Sequence, residues 1–280
     1  MNSCSRSLPV RLTHQQVEAY NRDGFLVLAD LFSAAEVAAM RAELGRVQAI
    51  DTDHLVRENG SHIAKTIYRV HEADGPTASP VFHAVSRSPR MLEPAQDLLC
   101  DQRLYIHHTK CNLKTAIDGS VWAWHQDYGT WKRDGMPEPR PTTALIMLDE
   151  PTEMNGCLYF IPGSHKEGSL EPEFNDATGY KFYVTPKEKL LEIMARSPEP
   201  IPIVGKPGTV VFFDCNILHA SGHNLSRHNR WAIYVVYNPV ENRCRDVLNP
   251  RPDYVRSVNT NPLMVGSDNI LASTNMVQEA

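Results

Sequence analysis

The sequence predicts a mainly β fold: a double-stranded β-helix (a jelly roll, cupin-like) with N-terminal and flanking α-helices. Helical periodicity dominates the first hundred residues, and the apolar pattern then changes to the period of two that β-strands show. Polar residues able to bind a metal lie on several predicted strands, as expected where two facing sheets line a common cavity. With 280 residues and 42% hydrophobic content, the chain can bury one sizeable core.

We expect one domain spanning residues 1–280. Its parts are a helical buttress (13–100), a jelly-roll core (101–245), a connection within that core that could form a lid (166–200) and a C-terminal tail (246–280). The candidate metal ligands are spread over the middle and end of the chain, which favours one domain over two small ones. The tail has few apolar clusters, so it could wrap the barrel or stay loose.

The elements before residue 100 are mostly helical. Helices are predicted over 13–22, 33–50 and 89–99, and a short apolar strand over 24–28. The second helix starts with Ser33 and Glu36, an S-x-x-E capping box in which each side chain accepts a hydrogen bond from the other residue's backbone N–H. The third helix carries its apolar side chains on one stripe. Residues 51–65 are polar and predict a loop.

The elements after residue 100 are mostly strands. They are predicted over 104–113, 121–127, 142–149, 157–162, 209–221 and 230–240. Turn-forming segments such as 117–120 and 161–164 separate them. The loop 128–141 follows the candidate metal ligands directly. The connection 166–200, with a short helix predicted at 186–195, is long enough to indicate a functional loop.

Two histidines and one aspartate are the candidate metal ligands. His125 and Asp127 are two residues apart on a predicted strand, where alternate residues project from the same face, so both side chains should point into one cavity. His219 ends a buried apolar strand that can return beside the first. Two imidazoles and one carboxylate are the ligand set of a mononuclear iron(II) oxygenase. An H-x-D triplet alone is weak support in a chain with 12 histidines, so the interpretation depends on accompanying residues.

An arginine at the start of the last predicted strand provides that support. Arg230 opens an apolar strand, where a cation needs an anion, and its planar guanidinium suits a carboxylate through two parallel hydrogen bonds. Ser221 shares the face of His219 if that strand continues, and its hydroxyl could donate to the same carboxylate. The combination favours a dicarboxylate co-substrate. The structural alternative is an ion pair of Arg230 with Asp214 or Glu241.

The predicted strand 104–113 has a polar face. Its even positions are Ile106, His108, Lys110 and Asn112. In a sheet with one solvated face, such a pattern indicates exposure to water. Three spaced polar groups could equally line the mouth of a site, and periodicity alone does not separate the two interpretations.

Composition excludes several classes of protein. The net charge of −5 and the pI near 6.2 argue against nucleic-acid binding, which requires a basic patch. Six cysteines lack C-x-x-C or other framework spacing, which fits a reducing compartment. The sequence carries no N-terminal apolar segment typical of a signal peptide and no apolar run approaching the span of a bilayer. We expect a cytoplasmic protein with a small-molecule substrate and without nucleic-acid or membrane partners; the pattern indicates no particular oligomeric state.

Several motifs in combination resemble one known family. The matching segments are 20–28, 104–112, 124–131, 134–137, 155–156, 161–165 and 219–221. They include Trp124-His125-Gln126-Asp127 and Ile161-Pro162-Gly163-Ser164-His165. Over roughly residues 15–245 they resemble the phytanoyl-CoA dioxygenase family, and within it the ectoine hydroxylases and bacterial free-proline trans-4-hydroxylases. The resemblance implies a jelly roll that uses iron(II), 2-oxoglutarate and O2.

The resemblance also implies roles for individual residues. The iron would be held by His125, Asp127 and His219, and the distal carboxylate of 2-oxoglutarate by Arg230 and Ser221. Further positions near the co-substrate are Asn112 and Trp122, and positions near the substrate are Trp131, Tyr234, His108 and Lys110. Ectoine hydroxylase has glutamine and arginine where this chain has His108 and Lys110, a difference that argues against ectoine as the substrate.

The implied reaction is hydroxylation of an unactivated C–H bond, with succinate and CO2 as co-products. The carboxylate of Asp127 favours hydroxylation or desaturation over halogenation, because halogenating relatives have a small residue in its place. The expected substrate is a small zwitterion or carboxylate, such as a free amino acid or an amino-acid-derived metabolite. Two alternatives stay open: the same chemistry on a larger secondary metabolite or carrier-bound acyl group, and a non-catalytic jelly-roll binding protein. A hydrolytic zinc site is disfavoured, because hydrolysis needs no 2-oxoglutarate.

Other reactive residues have structural interpretations. His107 and His223 are expected at the surface, and His165 is expected to shape its loop. Cys111 and Cys215 are expected to be small buried side chains rather than nucleophiles.

Overall fold

The computed structural model describes residues 11–57, 64–119, 121–175 and 182–274. Its α-helices are α1 (His14–Asp23), α2 (Ala34–Val47), α3 (Pro80–Arg87), α4 (Pro89–Leu99), α5 (Tyr128–Trp131) and α6 (Lys187–Met194). Its strands are β1 (Phe25–Leu28), β2 (Leu55–Arg57), β3 (Ala64–Tyr68), β4 (Leu104–Lys114), β5 (Trp122–His125), β6 (Thr142–Met147), β7 (Leu158–Phe160), β8 (Glu173–Asn175), β9 (Phe182–Val184), β10 (Ile201–Ile203), β11 (Val210–Asp214), β12 (His219–Ser221) and β13 (Arg230–Pro239). None of the helices in these ranges has the length and apolar character needed to cross a membrane.

Two facing antiparallel sheets form the predicted jelly roll. The larger sheet has the strand order β1-β11-β6-β13-β4-β3-β2, and the smaller has the order β10-β7-β12-β5. A separate hairpin pairs β8 with β9. Leu145 and Tyr234 of the larger sheet pack in one cluster with Leu158 and Phe160 of the smaller sheet, so the apolar space between the sheets is continuous.

Strand β13 shows how side-chain alternation organises the core. Ala232 and Tyr234 face the space between the sheets, whereas Ile233 and Val235 pack in the cluster on the other side of the larger sheet. Residues of α2, α3 and α4 complete that second cluster. A fully buried side chain such as that of Ile233 or Val235 contributes about 1.5–3 kcal/mol to the free energy of folding. The helices therefore cover the outer face of the sheet that carries much of the site.

The predicted helices at 13–22, 33–50, 89–99 and 186–195 are confirmed, with their ends shifted by at most a few residues. The capping box of α2 is also confirmed. Ser33 N donates to Glu36 Oε2 at 2.7 Å, and Glu36 N donates to Ser33 Oγ at 3.3 Å. This local signal can be read from sequence because its hydrogen bonds join residues three positions apart.

The prediction of a loop over 51–65 is wrong. The strands β2 and β3 begin in this range, and β3 pairs with β4. That pairing joins distant parts of the chain, so local composition does not record it. Helix α3 is also absent from the sequence prediction, although Ser79 caps it by accepting a hydrogen bond from Phe82 N at 3.3 Å and Pro80 occupies its first turn.

The predicted strand 209–221 is two strands in different sheets. Strand β11 ends at Asp214, and β12 starts at His219. Between them Asp214 Oδ1 accepts a hydrogen bond from Asn216 N at 2.7 Å, and Asp214 O accepts one from Ile217 N at 3.1 Å. This turn carries the chain from the larger sheet to the smaller one and brings His219 beside β5.

The C-terminal tail wraps the barrel over its described part. Ser257 N donates to His107 O at 2.6 Å, and Leu263 N donates to Leu104 O at 2.7 Å. These main-chain hydrogen bonds hold the tail along β4, so the first of the two alternatives for the tail is confirmed.

Candidate metal centre

A cavity of about 260 Å³ lies between the two sheets. It is lined by Tyr68, His108, Lys110, Asn112, Trp122, His125, Asp127, Thr130, Trp131, Thr143, Leu158, Phe174, Phe182, Tyr183, His219, Tyr234, Val236 and Arg251. These residues come from both sheets, the β8–β9 hairpin, α5 and the tail. The three candidate metal ligands are therefore brought into one cavity.

The candidate ligands lie on two neighbouring strands and at the start of a helix. His219 pairs with His125 in the ladder of β12 and β5, and their ring centroids are 4.1 Å apart. Asp127 Oδ1 lies 3.8 Å from His125 Nε2 and 3.9 Å from His219 Nε2. The ligand atoms of the three residues all lie within 4.8 Å of one another, so one cation between them can contact all three.

The prediction that Asp127 lies on the same strand as His125 is wrong. Strand β5 ends at His125, and Asp127 has helical backbone angles, φ −59° and ψ −40°, immediately before α5. Its carbonyl oxygen accepts hydrogen bonds from Thr130 N at 3.0 Å and Trp131 N at 3.2 Å. A turn, rather than strand alternation, directs the carboxylate into the cavity.

Main-chain carbonyls orient both imidazoles. His125 Nδ1 donates to Ala123 O at 2.7 Å, and His219 Nδ1 donates to Ile217 O at 3.0 Å. Because a carbonyl only accepts, each Nδ1 carries the proton and each Nε2 keeps a lone pair for a metal. Burial, and then the neighbouring His219, hold the pKa of His125 well below its usual range, so that ring is neutral. Two imidazoles oriented in this way, together with the carboxylate of Asp127, fit iron(II).

Gln126, between the two ligands, ties the metal motif to the connection 166–200. Its Nε2 donates to Gly168 O at 2.9 Å and to Asn216 O at 2.7 Å, and its Oε1 accepts a hydrogen bond from Leu170 N at 2.9 Å. All three bonds are made to main-chain atoms. The start of the connection is therefore fixed relative to the metal motif.

The polar face of β4 lines the cavity rather than facing water. His108, Lys110 and Asn112 all contribute to the lining. Ile106, which strict alternation places on the same face, packs in the core behind the sheet instead. The reason is a β-bulge: the pairing with β13 skips His107, so the alternation changes phase there.

The expectation that His107 lies at the surface is wrong. Its ring is fully buried, and its centroid lies 5.1 Å from that of His108 and 5.7 Å from the Trp131 ring. Burial lowers the pKa of His107 to about 3, and burial followed by the charge of His107 lowers the pKa of His108 well below its usual range. Both rings are therefore neutral at neutral pH, and His108 presents an uncharged polar group to the cavity.

The predicted aromatic residues Trp122, Trp131 and Tyr234 all line the cavity. The Lys110 ammonium lies 3.7 Å from the centroid of the Trp122 ring, and the Phe182 ring packs edge-on against the same indole at 5.3 Å. A cation over an indole face is attracted by the negative face of the ring. Lys110 is thereby held at the cavity wall.

Arg230 and Ser221 lie behind the cavity wall and are 3% and 2% exposed. Leu158 lines both the cavity and the small space beside Arg230. Within the described residues, Arg230 Nε is buried without a hydrogen-bond partner and no carboxylate forms an ion pair with the guanidinium; Glu241 pairs with Arg103 at 3.1 Å instead. The structural alternative for Arg230 is therefore wrong. A buried donor of this kind requires an acceptor, and a co-substrate carboxylate would supply one.

Some residues that line the cavity were not predicted from the sequence. They are, among others, Phe174, Phe182, Tyr183 and Arg251. Phe174, Phe182 and Tyr183 lie in an aromatic-rich part of the connection, and this local composition was the available signal. Arg251 lies between two prolines of the tail; its Nε is 3.1 Å from Asp134 Oδ1 and its Nη2 is 2.6 Å from Asp134 Oδ2. This bidentate pair holds the guanidinium at the cavity.

The remaining reactive residues have the structural roles expected of them. His223 is exposed, and His165 Nε2 donates to Asn21 O at 3.2 Å, which connects its loop to α1. Cys111 and Cys215 are fully buried, and burial raises the pKa of both thiols. Neither cysteine is a thiolate at neutral pH, so neither is a nucleophile.

The fold and the site together define a class of protein. A jelly roll whose cavity brings together two imidazoles and one carboxylate has the arrangement of a mononuclear iron(II) oxygenase.

Comparison with known proteins gives the family. The family model for phytanoyl-CoA dioxygenase (PhyH) matches residues 20–232. An ectoine dioxygenase from Bordetella bronchiseptica is 33% identical over 258 residues, covering 87% of this chain and 82% of that protein. EctD from S. alaskensis with 2-oxoglutarate and 5-hydroxyectoine has a TM-score of 0.80 at 33% identity, covering 92% of this chain and 89% of that one. EctD with bound Fe has a TM-score of 0.79 at 32% identity and the same coverage. The chain belongs to the phytanoyl-CoA dioxygenase family.

Proposed function

We propose that this protein is an Fe(II)- and 2-oxoglutarate-dependent dioxygenase that hydroxylates a small zwitterionic or carboxylate molecule. The observation that supports this most directly is the convergence of His125 Nε2, His219 Nε2 and Asp127 Oδ1 in one cavity. The related EctD structures contain Fe, 2-oxoglutarate and 5-hydroxyectoine. Iron(II), 2-oxoglutarate and O2 supply the oxidising chemistry, in which one oxygen atom enters a substrate C–H bond and the other enters succinate as CO2 is released.

Different residues of this chain would bind the metal and the co-substrate. The two histidines and Asp127 would hold the metal, with the protons on Nδ1 already engaged by main-chain carbonyls. Arg230 and Ser221 would bind the distal carboxylate of the co-substrate, which supplies the acceptor that buried Arg230 Nε lacks among the described residues. Asn112 and Trp122 line the same cavity and would complete the co-substrate side.

The cavity also indicates the kind of substrate. Its volume of about 260 Å³ must hold 2-oxoglutarate as well, which favours a substrate of amino-acid size. Trp131 and Tyr234 supply aromatic walls that exclude water, and His108 an uncharged polar contact. Lys110 and Arg251 are the cations of the lining, and they favour a substrate with a carboxylate.

Replacing Arg251 with methionine is expected to raise the KM for the substrate by roughly 10- to 100-fold, as for the loss of a charge-assisted hydrogen bond. The KM for 2-oxoglutarate should change little, because Arg230 and Ser221 serve that ligand. Steady-state kinetics with each ligand varied in turn provide the measurement. Arg243→Met, at an exposed position of the same tail, is the control, and thermal unfolding of both variants separates substrate recognition from loss of the Arg251–Asp134 ion pair. An unchanged substrate KM in the Arg251 variant would exclude this residue from substrate recognition.

The experiment that tests the proposed function is succinate formation by purified protein with iron(II), 2-oxoglutarate, ascorbate and air. Free amino acids, ectoine and other cyclic zwitterions form the panel, and products are identified by mass. Succinate coupled to a product one oxygen heavier is the expected result. A product lacking two hydrogens would indicate desaturation instead.

Negative outcomes of the same experiment also separate the alternatives. Bound iron without substrate-stimulated succinate would favour a larger or carrier-bound substrate. Absence of both iron binding and 2-oxoglutarate binding would overturn the proposed function in favour of a non-catalytic binding protein.

A further inference from the structure

A second buried cation lies beside Arg230. Lys114, the last residue of β4, is directly opposite Arg230 in the ladder with β13. The two residues are 5% and 3% exposed. Like charges directly opposite each other in a sheet are destabilising. Among the described residues no carboxylate forms an ion pair with either side chain, and the nearby Asp149 pairs with Arg41 instead, so nothing balances a positive charge on this pair.

The hydrogen bonds of Lys114 determine the direction of the Ser221 hydroxyl. Lys114 Nζ lies 3.0 Å from Ser221 Oγ, 3.4 Å from Gly156 O and within hydrogen-bonding distance of Gly222 O. When Lys114 is charged, its ammonium has three N–H donors and no acceptor, so all three donors are used and Ser221 Oγ accepts. The hydrogen of the Ser221 hydroxyl is then available only to another acceptor.

The surrounding backbone is shaped to fit the lysine. A Cβ atom added at Gly119 would lie 1.9 Å from Lys114 Cγ, and one added at Gly156 would lie 3.0 Å from Lys114 Nζ. Gly156 also has a positive φ of 72°, which side-chain-bearing residues rarely adopt. Gly119 therefore leaves the space that the lysine side chain fills. At Gly156 an added Cβ would first meet Gly222 O at 2.5 Å and His223 O at 2.7 Å, so this glycine also allows two main-chain segments to approach closely beside the lysine.

We propose that Lys114 is a positioning residue for the co-substrate: it holds Ser221 so that the hydroxyl donates a hydrogen bond to the distal carboxylate of 2-oxoglutarate. This inference rests on the proposed function. The carboxylate would also supply the negative charge that the Lys114–Arg230 pair lacks. In the structure, burial and then the charge of Arg230 lower the pKa of Lys114 to about 6, and an anion between the two cations would raise it again.

Equilibrium binding of 2-oxoglutarate to the anaerobic Fe(II)-loaded protein, measured by calorimetry, tests this role. The variants are Lys114→Met, Ser221→Ala and the double variant, with exposed Lys206→Met as the control. Lys114→Met is expected to weaken binding by about 10-fold, and Ser221→Ala by a similar factor. If Lys114 acts through Ser221, adding Lys114→Met to the Ser221→Ala variant weakens binding further by less than about 3-fold. In Lys114→Met the KM for 2-oxoglutarate is expected to change more than kcat, and in Lys206→Met neither should change.

Three outcomes would contradict, respectively, the role of Lys114, its action through Ser221, and the proposed function on which the inference rests. Wild-type affinity in Lys114→Met would exclude the role altogether. Independent, multiplying effects of the two substitutions would show that Lys114 does not act through Ser221. If wild type itself bound no 2-oxoglutarate, the proposed function would fall, and the inference with it. Should Lys114→Met not fold, as judged by thermal unfolding, Lys114→Leu also removes the N–H donors, and the same weakening is expected.

Discussion

Replacing Asp127 with alanine is expected to abolish hydroxylation, with a loss of at least ~10³-fold in kcat/KM, which corresponds to about 4 kcal/mol. Asp127 is the single carboxylate among the described residues that line the cavity. Without it, two neutral imidazoles would have to hold a divalent cation with no negative charge beside it. The iron content of the purified variant should therefore fall together with succinate formation.

The backbone near Asp127 is not expected to change in this variant. Its contribution to α5 is made by the main-chain carbonyl, which alanine keeps. Asp118→Ala, at an exposed position in the loop before β5, is a matched control that should bind iron and turn over normally. Full activity with one bound iron per chain in Asp127→Ala would show that the metal assignment is wrong.

Replacing Arg230 with alanine is expected to raise the KM for 2-oxoglutarate by roughly 30- to 100-fold, since hydrogen bonds to a charged group contribute about 2–3 kcal/mol. Iron content should not change, because Arg230 lies behind the cavity wall and contacts none of the three ligands. The two measurements together separate loss of co-substrate binding from loss of metal. Lysine at this position should recover only part of the affinity, because it keeps the charge but not the planar pair of donors.

Arg227→Ala provides the control for this substitution, because Arg227 is exposed and lies three residues earlier on the same segment. Its KM for 2-oxoglutarate should equal that of wild type. An unchanged 2-oxoglutarate requirement in Arg230→Ala would remove Arg230 from the co-substrate site.

The sequence was most informative where a function depends on residue type. His125, Asp127 and His219 were identified because two imidazoles and a carboxylate with this spacing are uncommon in combination with a buried arginine. The geometric reason given for Asp127 was nevertheless wrong, because the strand ends two residues before it. Residue identity predicted the site, whereas the local backbone conformation that builds it depends on the packing of α5.

Positions fixed by long-range pairing were harder to predict. The β-bulge at His107 is produced by pairing with β13, so strict alternation put Ile106 on the wrong face. Arg251 reaches the cavity only because the tail runs back along β4. Neither effect leaves a periodic signal in its own segment, and both require the three-dimensional arrangement of distant strands.

The main-chain carbonyls that orient the two imidazoles have a consequence for evolution. The oxygen atoms of Ala123 and Ile217 would be present whatever side chains stood at those positions. Mutation of nearby side chains therefore does not change the orientation of the two imidazoles, as long as the backbone of the strands keeps its conformation. The cavity lining is free to diverge while the iron chemistry is retained, so a family with this architecture can acquire new substrates by changing the wall without rebuilding the centre.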